Sequence, residues 1–171
     1  MNNIYNNYLF NYKRRKSFPV SIGDSVIGGD NPIRIQSMTT SDTMNTNATV
    51  EEAIRMINSG SEYIRITAPS INEAKNLRNI KNMLKKKGFE VPLIADIHFT
   101  PNAAEIAAQI VEKVRINPGN FADKKSFKNI EYDDDSYHAE IERIYERVSP
   151  LIKICKTNGT AMRIGTNHGS L

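Results

Sequence analysis

The chain has 171 residues, 39% of them apolar, enough for one cored domain but short of the roughly 250 of a complete eight-stranded α/β barrel. No apolar run reaches the roughly 18–20 residues of a membrane span, and a net charge of +4 suits an anionic small molecule without marking nucleic acid. The single cysteine, Cys155, excludes an internal disulfide and a cysteine-ligated cluster. Its neighbours Leu151, Ile152 and Ile154 read as a core helix around an inert thiol.

Residues 1–16 read as a flexible N-terminal arm. The basic run Lys13–Lys16 follows the Asn- and Tyr-rich start instead of preceding an apolar stretch, which argues against a secretory signal and for a cytoplasmic setting. No aromatic platform accompanies it, so nucleic acid is not expected as a partner, and without an apolar run of spanning length neither is a membrane. Ser17–Val26 reads as a hairpin turning at Gly23-Asp24.

From there strands and helices alternate. Ile33–Ser37 is a predicted strand and Ala48–Asn58 an amphipathic helix, with Thr49 and Glu52 at capping-box spacing or Asn47 as the cap. Tyr63–Thr67 is the next strand. Ser70 and Glu73 open a helix that carries Ala74, Leu77, Ile80 and Leu84 to Gly88. Val91–Ile97 is a strand, Thr100-Pro101 starts a helix, and Val114–Asn117 is a strand. An irregular connection is expected over 118–135, including Gly119-Asn120 and Glu131–Asp135. Ser136–Val148 reads as a helix with Ile141, Ile144 and Val148 inward, and Ser149-Pro150 as the start of another that ends at Asn158-Gly159. Thr160–Ile164 is the last strand.

This alternation implies a parallel sheet with outer helices. No Gly-rich dinucleotide fingerprint follows an early strand, which favours part of a (β/α)8 TIM-type barrel, about five parallel strands, over a doubly wound sheet.

Four strands carry an arginine between apolar residues: Ile33-Arg34-Ile35, Ile64-Arg65-Ile66, Val114-Arg115-Ile116 and Met162-Arg163-Ile164. Buried guanidinium groups need an anion. Strand alternation puts each arginine on the face of the residue two places on, respectively Gln36, Thr67, Asn117 and Gly165, while Asp96 and His98 share one parity of their strand. Barrel active sites form at the C-terminal ends of strands, so Arg65, Arg115 and Arg163 are expected to converge there with Asp96, His98 and Asn117 on a phosphate or diphosphate. An ion pair on the barrel rim accounts equally well for any one of these arginines, and Arg34 is the weakest member. The turns Asn117–Asn120 and Thr166–Ser170 would add backbone donors. Asp96 and His98 alone lack a metal-ligand set of diagnostic spacing, and no metal site is expected.

Arg-Ile-Gln-Ser-Met-Thr at 34–39, Ala-Asp-Ile-His-Phe at 95–99, Val-Arg-Ile-Asn-Pro-Gly-Asn at 114–120 and Arg-Ile-Gly-Thr-Asn-His-Gly-Ser-Leu at 163–171 resemble the signature segments of the 4-hydroxy-3-methylbut-2-enyl diphosphate synthase family. The long fourth connection resembles the family's larger variant, which carries an extra central domain. The resemblance implies reductive ring opening of 2-C-methyl-erythritol 2,4-cyclodiphosphate in non-mevalonate isoprenoid biosynthesis. It implies that residues 17–171 are a partial substrate-binding barrel. It also implies a [4Fe-4S] cluster held by a C-terminal domain whose ligands this chain lacks, electrons from flavodoxin or ferredoxin, and a homodimer when full-length. By motif, Arg65, Arg115, Asn117, Arg163 and Asn167 would bind substrate, and Asp96 and His98 would contact its oxygens in proton-transfer or orienting roles. Without the cluster ligands, this chain alone is expected to be inactive. Two other readings remain: a barrel related to dihydropteroate synthase that takes a pterin or phosphorylated ligand, and a non-catalytic truncated remnant.

Overall fold

The computed structural model describes residues 16–98, 100–121 and 133–166. Most of the expected arm therefore lies outside the described residues. Two short antiparallel strands come first, β1 (Val20–Ile22) and β2 (Ser25–Ile27). They turn at Gly23-Asp24 as expected, and Gly23 takes a φ of +57 that an L side chain rarely adopts.

Five parallel strands follow: β3 (Gln36–Met38), β4 (Tyr63–Thr67), β5 (Leu93–Ile97), β6 (Lys113–Ile116) and β7 (Ala161–Ile164). They lie side by side in chain order. A doubly wound sheet would reverse direction part-way, whereas steady progress is the arc of a barrel. The fold is thus an incomplete α/β barrel.

The connecting helices are α1 (Thr46–Asn58), α2 (Ile71–Lys86), α3 (Pro101–Ala107), α4 (Pro118–Phe121) and α5 (Asp134–Asn158). Ser70 caps α2 by accepting from the Asn72 N–H at 3.2 Å, and its hydroxyl donates to Glu73. Pro101 occupies the first turn of α3, where no N–H is needed. The cap of α1 differs from both expected candidates. Asn45 accepts from the Ala48 N–H at 3.2 Å, while Thr49 is buried inside the helix and donates to the Asp42 and Asn45 carbonyls. Glu52 instead reaches back to the Thr40 and Ser41 N–H groups at 3.1 and 2.9 Å. Burial opposes its charge, but the Ser41 and Thr40 donors outweigh burial and hold the carboxyl at about 2.

Three further expectations need correction. The first parallel strand begins at Gln36, not Ile33, because the Glu62 carboxylate takes the Arg34 guanidinium at 2.6 Å and the Ile35 N–H at 2.9 Å. Gly119 and Asn120 are helical in α4, and Asp134 and Asp135 form the first turn of α5, capped by Asp133 with Ser136. α5 runs unbroken through Pro150, so there is no restart. Proline removes the hydrogen bond to the Glu146 carbonyl, but both residues are exposed and water can serve that carbonyl. Ile141, expected to point inward, is 47% exposed, and the buried contacts of α5 come from Leu151 and Cys155.

The outward sheet face carries Ile64, Ile66, Leu93, Ala95, Ile97, Val114 and Ile116. They pack on Val50 and Ala53 of α1, on Ala74, Leu77, Ile80 and Leu84 of α2, on the alanines of α3, and on Leu151 and Cys155. Each fully buried leucine or isoleucine contributes about 1.5–3 kcal/mol. Burial pushes the Cys155 thiol up, as an inert core thiol requires. On the concave face, Ile22 of the hairpin packs against Tyr63, Ile94 and Ala161, with Ile27 beside it. The Tyr63 and Ser25 hydroxyls hydrogen-bond at 2.8 Å. The hairpin therefore stoppers the N-terminal end of the barrel interior.

Candidate functional site

Strand parity decides which polar groups meet. Met38, Arg65, Ile94, Lys113 and Ala161 form one interior row across the sheet. Thr67, Asp96, Arg115 and Arg163 form the next row toward the C-terminal ends of the strands. A helix-facing residue separates the rows on each strand, so both rows look into the barrel.

Asp96 is the centre of this layer and only 2% exposed. Its Oδ2 lies 2.5 Å from an Arg65 guanidinium nitrogen and 3.2 Å from His98 Nε2. Its Oδ1 accepts from Arg115 at 3.2 Å. Burial works against the Asp96 charge. The hydrogen bond and charge of Arg65, joined by His98, outweigh it and hold the carboxyl below its ordinary value. Arg115 also approaches His98 Nε2 at 2.7 Å and donates to the Gly165 carbonyl at 3.1 Å. His98 sits just past β5, its side chain 30% exposed at the mouth.

Gly165 has a steric role that its place after Met162-Arg163-Ile164 does not announce. A Cβ there would lie 2.5 Å from Arg115 Nε. Gly165→Ala should push the guanidinium off its Asp96 and Gly165 contacts and weaken pyrophosphate binding about tenfold, the cost of one charge-assisted hydrogen bond. Calorimetric titration checks this, and the added alanine should change nothing further in an Arg115→Ala background.

Asn117 is 1% exposed at the end of β6, and its carbonyl accepts from the Asn120 and Phe121 N–H groups that open α4. Arg163 is the register partner of Arg115, and it makes no hydrogen bond or ion pair among the described residues. One interior cation escaped the sequence reading: Lys113, which is 8% exposed. Its strand was taken to begin one residue later, and the parity shared with Arg115 was the signal that could have found it. Among the described residues, the two interior rows thus hold four cations, Arg65, Lys113, Arg115 and Arg163, and one carboxylate, Asp96. Arg65 Nε is buried without a hydrogen-bond partner, a donor left for a group that the described residues do not supply.

Arg34 stands apart, paired with Glu62 near the start of the sheet. Asn167 and His168 lie outside the described residues. Among the described residues no group of three His, Cys, Asp or Glu could hold a metal ion. The lone buried Cys155 does not fit an iron–sulfur cluster. A cavity of about 400 Å³ opens at the opposite end, between the hairpin turn and the end of α2, but none of the interior arginines lines it. Among the described residues no helix is long and apolar enough to cross a membrane.

The family model of the GcpE TIM-barrel domain matches residues 17–171. The chain belongs to the GcpE family. Its relatives include a 4-hydroxy-3-methylbut-2-en-1-yl diphosphate synthase (flavodoxin) from Parabacteroides distasonis, 58% identical over 163 residues, which cover 95% of this chain and 27% of the relative. The protein of the same name from Leptospira interrogans is 54% identical over 100% of this chain and 26% of its own length. The GcpE chain described here therefore spans about a quarter of those relatives. A crystal structure of Burkholderia cenocepacia dihydropteroate synthase with 7,8-dihydropteroate superposes with a TM-score of 0.43 at 16% identity, over 84% of this chain and 60% of that one. A likeness at that level lends nothing to the pterin reading.

Proposed function

We propose that this chain is the substrate-holding barrel portion of a 4-hydroxy-3-methylbut-2-en-1-yl diphosphate synthase, and that its interior binds 2-C-methyl-erythritol 2,4-cyclodiphosphate. The observation that carries this reading is the excess of cations over carboxylates among the described residues of one interior face, at the end where barrel enzymes bind substrate. Guanidinium groups offer planar paired donors to phosphoryl oxygens. Reductive ring opening frees a further ionisable phosphate oxygen, so anionic charge grows along the reaction. Fixed cations stabilise such developing charge more than the ground state.

In this reading Arg65, Arg115 and Arg163 hold the diphosphate, with Asn117 and Asn167 as hydrogen-bonding partners. Asp96 is a positioning group, since its oxygens are taken by Arg65, Arg115 and His98. His98, at the mouth, is the residue placed to exchange a proton with a substrate oxygen. The reduction consumes two electrons, and the single cysteine of this chain cannot by itself hold an iron–sulfur cluster to deliver them. The relatives' name includes flavodoxin, so a flavodoxin-type donor, a cytoplasmic setting and a [4Fe-4S] cluster carried by a further domain belong to the same proposal, as does a homodimer.

Titration of the chain with the cyclic diphosphate and, separately, with 7,8-dihydropteroate tests the reading. Heat and saturation with the first and none with the second are expected. Binding of the pterin alone would transfer the site to the other class of barrel.

A further inference from the structure

We infer that Lys113 is an additional anion-binding residue, set in the same interior row as Arg65, placed to take a phosphoryl oxygen of the same ligand that Arg65, Arg115 and Arg163 bind. The inference rests on the diphosphate reading and adds to it a residue that reading did not contain.

Register places the residue. Lys113 is the Cα partner of Ile94 on one side and Ala161 on the other, in the interior row one step below Asp96, Arg115 and Arg163. These small or aliphatic neighbours give it no counter-charge. It is 8% exposed and makes no hydrogen bond or ion pair among the described residues. The charges that act on it are those of Arg163 and Arg65, both of its own sign. Burial first, then those two guanidinium groups, push its ammonium below the ordinary lysine value.

A lysine that serves the fold looks different, and this chain has one for comparison. Lys81 also reaches toward the sheet, but it ends on Glu112 at 2.5 Å and on the Ile110 carbonyl at 2.6 Å. Glu112 adjoins Lys113 in sequence, yet it has the opposite strand parity and is committed to Lys81 and to the Leu93 N–H at 2.8 Å. Lys113 thus bears the desolvation and like-charge repulsion of a buried cation without the carboxylate that would offset them. Methionine fills a similar volume at that position without those costs. An oxyanion bound between Arg65, Lys113 and Arg163 would supply that missing counter-charge, and Arg65, in the same row, keeps a buried Nε without a hydrogen-bond partner.

The test uses the 171-residue chain with inorganic pyrophosphate as ligand. Lys113→Met should weaken pyrophosphate binding about tenfold by calorimetry, while the melting temperature of the unliganded chain stays level or rises. Lys113→Arg should restore most of the affinity. Those opposed directions separate a ligand contact from a structural lysine, whose loss would lower the melting temperature and leave affinity alone. Equal affinity of wild type and Lys113→Met overturns the inference and leaves the diphosphate reading standing. A weaker affinity accompanied by a lower melting temperature also overturns it. Failure of the wild-type chain to bind pyrophosphate removes the reading itself, and the Lys113 assignment goes with it.

Discussion

Asp96→Asn is expected to lower the unfolding free energy by about 3–5 kcal/mol, the usual cost of removing one partner from a buried ion pair. The carboxylate is 2% exposed and is shared by Arg65 and Arg115, whose side chains are 20% and 6% exposed. Asparagine keeps the shape but removes the carboxylate that Arg65 and Arg115 share across the interior rows. Their mutual repulsion then acts in a poorly solvated space. Urea unfolding at neutral pH and low salt measures the loss.

The same carboxylate sets an acid limb. Its folded value lies below its unfolded value, so its contribution is fully present above the ordinary aspartate range of about 3.9 and fades as pH falls through the lower folded value. Wild-type stability should fall across that window more steeply than Asp96→Asn stability does. Matching acid limbs would show that Asp96 is not held ionised by its neighbours.

Arg115→Ala is expected to weaken binding of the cyclic diphosphate about 100-fold, which corresponds to ~2.7 kcal/mol. Asp96 keeps Arg65 as a partner, so the fold should persist. Lys85→Ala is the control: its side chain is 74% exposed, its pair with Glu90 spans 3.2 Å at the surface, and its affinity should match wild type. Calorimetric titration of the two variants side by side compares a buried guanidinium with a solvated ammonium. Equal affinities would show that net charge, not the site, attracts the ligand.

The fold was legible because its signals are local and repeated. Apolar strands between amphipathic helices, with Ser70 and Pro101 at helix starts, specify β4 to β6 and the starts of α2 and α3, with β5 beginning later than expected and β6 earlier. The arginine, aspartate and histidine gathering was legible for a related reason. Parity along a strand is a strict rule, and Arg65, Asp96, His98 and Arg115 obey it. What failed depended on partners distant in sequence or on solvent. The start of β3 is set by Glu62, nearly thirty residues on by chain position, which captures Arg34 and the Ile35 N–H. Pro150 was read as a breaker because its own chemistry forbids one hydrogen bond, but the cost is small on an exposed face. Lys113 was missed because a lysine at a strand start reads as a surface residue until its register neighbours are known. The close approach of Gly165 to Arg115 is a contact between two strands that no local pattern encodes.

The β1–β2 hairpin governs traffic as well as packing. With Ile22 wedged between Tyr63, Ile94 and Ala161, the lumen has a floor. A ligand held by the arginine layer would find no passage through that floor. The hairpin thereby acts as a bung, and exchange is left to the side where His98 stands.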